Sequence, residues 1–222
     1  MSLSWDQLEL HLGASRLYLY LDHCGGDKAQ AIGLYRWNAQ LAAAFWLDLG
    51  HFEVAFRNAL DTRMVERYAS HGQETEWLDD PRLELGKNPK NPRNHKQPYK
   101  DIAIARSRVR NNSKPNTHDQ IISETSFGLW HQLVSRKQMF LWPDLAGAFP
   151  YAPNRSQSTI SEPVSRLRRF RNRIAHHHRI WTPDARAHYQ DLLTVAGYID
   201  PDLPDWIKSD STVLSLLHDK DC

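Results

Sequence analysis

An arginine and a histidine stand five positions apart in Arg171-Asn172-Arg173-Ile174-Ala175-His176, and two more histidines, His177 and His178, come directly after. Imidazole takes up and gives back protons near neutral pH, and a guanidinium is a permanent cation suited to phosphate. That pair is the minimum equipment for cleaving RNA without a metal. A base removes the 2′-hydroxyl proton, the cation stabilises the crowded phosphorane, and an acid protonates the departing 5′-oxygen. Other chemistries find no support. There is no Gly-rich phosphate loop, no paired-carboxylate metal site and no Gly-x-Ser-x-Gly elbow. His176, His178 and His188 have no Cys or acidic residue at ligand spacing, so no zinc, no other metal and no cofactor are expected.

The segment Thr159–His177 reads as the helix that carries this pair, with Glu162 and Pro163 in its first turn. At 100° per residue, Ile160, Val164, Leu167, Phe170 and Ile174 fall within about 80° of one another as an apolar stripe. Arg171 lies only about 40° from the centre of that stripe. A cation there needs a partner or an anion, because charge is rarely buried unpaired. Arg166, Arg168, Arg169 and Arg173 fall on the remaining faces. Five residues turn a helix by about 500°, so Arg171 and His176 point about 140° apart. They converge on one phosphate only if the helix ends near His176 or if a second protomer faces the first. His177 either assists the chemistry or caps the helix end, and His178 is read as solvated. Glu53 and Arg57 form an i, i+4 pair, open to two readings: a surface or interhelical salt bridge, or a support that orients the Arg171/His176 site.

The rest of the chain reads as helices and loops. Ser4 opens a Ser-x-x-Gln capping box with Gln7, and a second short helix spans about 14–21. Residues 27–80 contain no proline, and Leu41, Phe45, Leu49, Phe52, Phe56 and Leu60 recur at helical steps. One long helix, or two nearly collinear ones broken near Gly33 or Gly50, fits this stretch. Pro81, Pro89, Pro92 and Pro98 mark a loop over 81–98, then a basic helix spans 99–110 and a loop 111–116. Residues 119–140 read as one helix ended by Trp142-Pro143, and 183–199 as the last clear helix. The fold class is all-α. Residues 1–200 form a single helical domain with a basic Pro/Lys-rich insertion at 84–116, and 201–222 form a weakly patterned tail.

The composition suits a globular protein. Of 222 residues, 41% are apolar and 24% charged, which excludes collagen, low-complexity disorder and a disulfide scaffold. Asp6 and Glu9 stand where a signal peptide needs a basic then apolar run, and no apolar stretch is long enough for a membrane span. Cys24 and Cys222 are therefore read as free thiols of a cytoplasmic protein with no membrane partner. The net charge of +2 hides a separation: 82–114 carries +8, 155–186 carries +6, and the remainder −12. Two such segments serve either as solvated faces or as a surface for an anionic partner. Lys96, Lys100, Arg106, Arg110 and Arg168 are the candidate RNA-binding cations.

At these residues the chain resembles the HEPN superfamily, whose Arg-polar-x(3)-His element Arg171-Asn172 and His176 match. More narrowly it resembles the abortive-infection (Abi-like) family. The marks are Leu34-Tyr35-x-Trp37-Asn38, Glu53-Val54-Ala55-Phe56-Arg57-Asn58-Ala59, Ser126-Phe127-Gly128-Leu129-Trp130 and Phe170-Arg171-Asn172-Arg173-Ile174-Ala175-His176-His177, in that order. The resemblance implies a HEPN-like helical bundle and a metal-independent endoribonuclease of a phage-defence or toxin-type system. It further implies a homodimer whose Arg/His elements line one RNA-cleaving cleft, with room for a cognate antitoxin or inhibitor. It makes Arg171 the phosphate-binding residue, His176 the catalytic base or acid, and Asn172 an aid to motif geometry. Two alternatives stand beside it: a non-catalytic RNA-binding scaffold, and an assembly protein whose Ile160–Ile174 stripe is a dimer seam.

Overall fold

The structure is a computed structural model that describes residues 3–72, 76–87, 97–181 and 184–218. These residues form helices and turns, and no strand occurs among them. The first helix, α1 (Trp5–Leu12), is opened by the expected capping box: the Gln7 N–H donates to Ser4 Oγ and the Ser4 N–H to Gln7 Oε1, at 3.3 and 2.9 Å. A left-handed Gly13 (φ +89°) turns the chain into α2 (Ala14–His23).

Asp27 then caps α3 (Lys28–Ser70), accepting the Ala29 and Gln30 amides at 2.8 and 3.0 Å. This helix runs for 43 residues, about 64 Å, without a break at Gly33 or Gly50. A Cβ on either glycine would meet nothing. The continuous stripe Leu41, Phe45, Leu49, Phe52, Phe56, Leu60 and Met64 is fully buried and supplies the spine of the main core. That packing outweighs the propensity cost of two glycines, about 1 kcal/mol each.

The helix does not reach residue 80. Gly72 is left-handed (φ +65°), and Asp80 organises the chain between α3 and the next helix. Its buried carboxylate accepts the Tyr68 and Tyr99 hydroxyls at 2.9 and 2.8 Å, and the Glu84 and Leu85 amides at 3.0 and 2.9 Å. A single 3-10 turn, Glu84–Gly86, is thereby fixed between α3 and α4 (Gln97–Asn111). Part of the expected 81–98 loop is thus a buried clasp, and α4 begins two residues earlier than the composition suggested. Residues 88–96 lie outside the described ones.

The single helix expected over 119–140 is divided. It becomes α5 (His118–Ser123), α6 (Phe127–Leu133) and a 3-10 segment, Arg136–Leu141. The hydroxyls that break it are visible. Thr125 Oγ1 donates to Ile122 O and accepts the Trp130 indole N–H, and Ser135 Oγ donates to Gln132 O, so local side-chain bonds replace the helical ladder. Trp142-Pro143 begins a helix instead of ending one: α7 (Trp142–Leu145) has its proline in the first turn.

The long α8 (Gln157–Ala175) starts two residues early, which places Pro163 inside the helix and not in its first turn. It packs side by side with α9 (Ala185–Ile199), and both lie on α3. Residues 203–218 form α10 (Leu203–Ser209) and α11 (Val213–His218), whose Ile207 and Val213 enter the same core. A smaller core of Trp5, Leu17, Tyr20, Ala31 and Leu34 holds α1 and α2 against the start of α3.

Candidate active site

The C-terminus of α8 is set by backbone geometry. His176 is the cap residue, and the His177 and His178 amides donate back to Ile174 O and Arg173 O at 2.9 and 2.8 Å. That is the Schellman arrangement, and His177 occupies its left-handed position at φ +54°, where glycine is usual. Three further contacts hold the turn. Arg16 Nη1 donates to His177 O at 2.5 Å, Arg173 Nη2 to Arg179 O at 2.6 Å, and the buried Ile180 N–H to Asn38 Oδ1 at 2.8 Å. The result is a tethered turn that presents His176, His177 and His178 to solvent, with the rings of His176 and His178 6.0 Å apart.

Arg171 finds the partner its position required. Its Nε lies 3.0 Å from Glu53 Oε1, and its guanidinium carbon 4.8 Å above the Trp46 ring. Trp46 and Glu53 are seven residues apart on α3, hence on one face, and they clamp the guanidinium between them. The side chains of Arg171 and Glu53 are 29% and 24% exposed, so the cation is held at the surface and not entombed. Burial pushes the Glu53 carboxyl up, and Arg171 and then Arg57 pull it back. The expected Glu53–Arg57 ion pair is replaced by this interhelical one, while Arg57 Nε donates to Asn58 Oδ1 at 3.3 Å.

The helix does end at His176, which meets one of the two conditions for convergence. Even so, no hydrogen bond or ring contact joins Arg171 to His176 among the described residues. Asn172 is exposed, and its carbonyl accepts the His176 amide at 3.0 Å. Beside the turn, between α2, α3 and the end of α8, lies a groove of about 510 Å³ with Tyr20, Tyr35, Ala42, Trp46, Ile174 and His177 on its walls.

The candidate RNA-binding cations fare differently. Arg106 is paired to Asp79 at 2.6 Å, Lys100, Arg110 and Arg168 are exposed, and Lys96 lies outside the described residues. The dimer-seam reading of the Ile160–Ile174 stripe is overturned: all five of its residues are buried within this chain, at 5% exposure or less. No helix is long and apolar enough to cross a membrane among the described residues.

No family model matches the chain, and no curated protein or solved structure matches it. The site therefore stands on its own geometry.

Sequence reasoning missed Trp46 and Arg16, and named Asn38 only within a family mark, with no role attached. Trp46 carried a usable signal: it is a large aromatic off the Leu41–Leu60 stripe, on the same face as Glu53, and 46% exposed. Arg16 and Asn38 bond backbone groups of residues far along the chain, which no local pattern reveals. His131 on α6 was also missed. Burial, then the charges of Arg168 and Arg169, push its imidazole down to about 4. A histidine neutral when folded but ordinary when unfolded supports stability above its unfolded pKa of about 6.5, and that support is lost as pH falls towards 4. His188, also pushed down by burial, acts with the same sign. Urea titrations between pH 7 and 4.5 should show stability falling with acid, by up to about 1.4 kcal/mol per pH unit for each histidine. His131→Gln should reduce that slope, and an unchanged slope would remove His131 as its source.

Proposed function

We propose that the protein is a metal-independent endoribonuclease of the HEPN type, resembling the Abi-like branch, and that it acts in a phage-defence or toxin system. The observation that carries this reading is the tethered His176–His178 turn at the end of a helix whose preceding turn holds a surface guanidinium in place. In the reaction, an imidazole takes the proton of a ribose 2′-hydroxyl and the 2′-oxygen attacks phosphorus. The bond to the 5′-oxygen breaks, and that oxygen leaves with a proton from an acid. The products are a 2′,3′-cyclic phosphate and a 5′-hydroxyl. Arg171 offsets the charge that builds on the phosphorane oxygens.

Arg171 pairs with Glu53 and makes no hydrogen bond to His176 in its own chain, which supports a composite site in which Arg171 of one subunit and His176 of another face the same phosphate. The exposed face of α3 supplies a surface for that pairing. Ala43, Trp46, Leu47, Gly50 and Val54 form an uncharged stripe beside the Arg171 clamp, of the kind that marks protein contacts. Val54→Arg should lower the dimer fraction and the cleavage rate together. RNA and a second copy of the chain are thus the proposed partners, and an inhibitor of the toxin type would act by covering this cleft.

The decisive experiment incubates purified protein with total cellular RNA in EDTA and maps new ends. New 2′,3′-cyclic phosphate ends are expected, absent with His176→Ala. Cleavage that EDTA abolishes, or ends that carry a 3′-hydroxyl, would overturn the mechanism. One observation favours a second reading: Arg171 is already paired with Glu53, as a non-catalytic RNA-binding scaffold would allow. In that case RNA binding falls steeply with salt, yet no RNA is cut.

A further inference from the structure

A second groove, of about 530 Å³, opens between the start of α4, α6, the Arg136–Leu141 turns and the middle of α8. Its charged lining is Arg136, Lys137 and Arg168, set against Asp101 alone. Asp101 is already engaged, because its two carboxylate oxygens accept the side-chain amides of Gln97 at 2.9 Å and Gln132 at 2.8 Å. None of the three cations has a hydrogen bond or ion pair with any described residue. They contrast with Arg67, Arg106, Arg166 and Arg171, each of which has a carboxylate.

Two polar groups on the walls add to the cations. The His131 imidazole is uncharged at neutral pH and carries one N–H donor. Gln138, only 3% exposed, donates its amide to Leu85 O at 2.6 Å, but its Oε1 has no donor among the described residues. Unpaired cations, a neutral donor and an orphaned acceptor around one concavity match a ligand with anionic oxygens and a hydroxyl. On α8, Arg168 precedes Arg171 by three residues and so neighbours it on the helix surface.

From this cluster we propose that the α4–α6–α8 groove is a phosphate-binding site, with Arg136, Lys137 and Arg168 as its ligand-holding cations. Two sources carry the required chemistry: the phosphodiester backbone of an RNA strand passing Arg171, and the polyphosphate of a free nucleotide. The site does not depend on cleavage, so a protein without nuclease activity can still show it.

The test uses the full chain and two probes. Inorganic tripolyphosphate is followed by calorimetry, and a 12-nucleotide 2′-O-methyl RNA, which cannot be cleaved by 2′-hydroxyl attack, by fluorescence anisotropy at fixed salt. At least one probe is expected to bind the wild type. Arg136→Ala/Lys137→Ala, which alters side chains with no partner among the described residues, should weaken that probe about tenfold or more, and Arg168→Ala should do the same, with melting midpoints unchanged. A loss confined to the oligonucleotide identifies the strand as the source; a loss for tripolyphosphate identifies a free nucleotide. The His131 imidazole, tracked by NMR titration, should shift to higher pKa on binding, because a bound anion offsets Arg168. Binding of neither probe, or binding unchanged within twofold in both variants, would overturn the site.

Discussion

His176→Ala is expected to lower RNA cleavage by about 10²–10⁴-fold, the usual worth of a positioned acid or base, and to leave the melting midpoint where it was. The stability half of that expectation comes from the turn. The hydrogen bonds that end α8 use the amides of residues 176–178, which alanine also supplies, and the His176 ring is exposed. Arg171→Ala should behave differently. It leaves the Glu53 carboxylate half-buried without its cation, so a loss of about 1–3 kcal/mol accompanies the loss of activity. Arg171→Lys restores charge without the planar fork and should recover stability more than rate.

The composite dimer proposed above carries a sharper expected outcome. When the Arg171→Ala and His176→Ala chains are mixed, half of the dimers carry one of each. In such a dimer one site has lost both groups and the other has kept both. Activity should return to about a quarter of the wild type, the share set by two-fold symmetry. If each chain instead used its own Arg171 and His176, the mixture would stay as inactive as either variant alone.

The helical stripes of α3 and α8 were legible because their packing is periodic along one element, and periodicity survives in sequence. The anomaly of Arg171 was legible for the same reason, as a cation too near an apolar stripe. Its partner was not. Glu53 is favourably spaced from Arg57, and local spacing points there, whereas the fold places the α8 guanidinium closer. Likewise, the break at Thr125–Ser126 depends on a hydroxyl bonded to the Trp130 indole, and a helical pattern gives no warning of it. Residues 81–87 were read as irregular for their proline and charge, yet they wrap the buried Asp80. Long-range polar contacts of this kind leave no periodic trace.

That clasp supplies the largest expected change in stability. Asp80→Ala should destabilise the protein by about 3–5 kcal/mol, as leaving several buried donors unsatisfied does. Four donors lose their acceptor at once. The Tyr68 and Tyr99 hydroxyls can turn to seek another acceptor, but the Glu84 and Leu85 amides are fixed in the 3-10 turn and cannot. Burial first, then the hydrogen bond to Asp80, pushes both tyrosine hydroxyls up, so both stay protonated, and Tyr99 Oη already accepts the Gly86 amide at 2.8 Å. Asp80→Asn is the informative comparison. One carboxylate oxygen serves Tyr68 and Glu84, the other Tyr99 and Leu85, so an amide necessarily turns its NH₂ towards one backbone N–H. Its cost should fall between wild type and alanine, read as a shift in the urea midpoint at constant slope. A loss below about 1 kcal/mol for Asp80→Ala would mean that the clasp adds little to the fold.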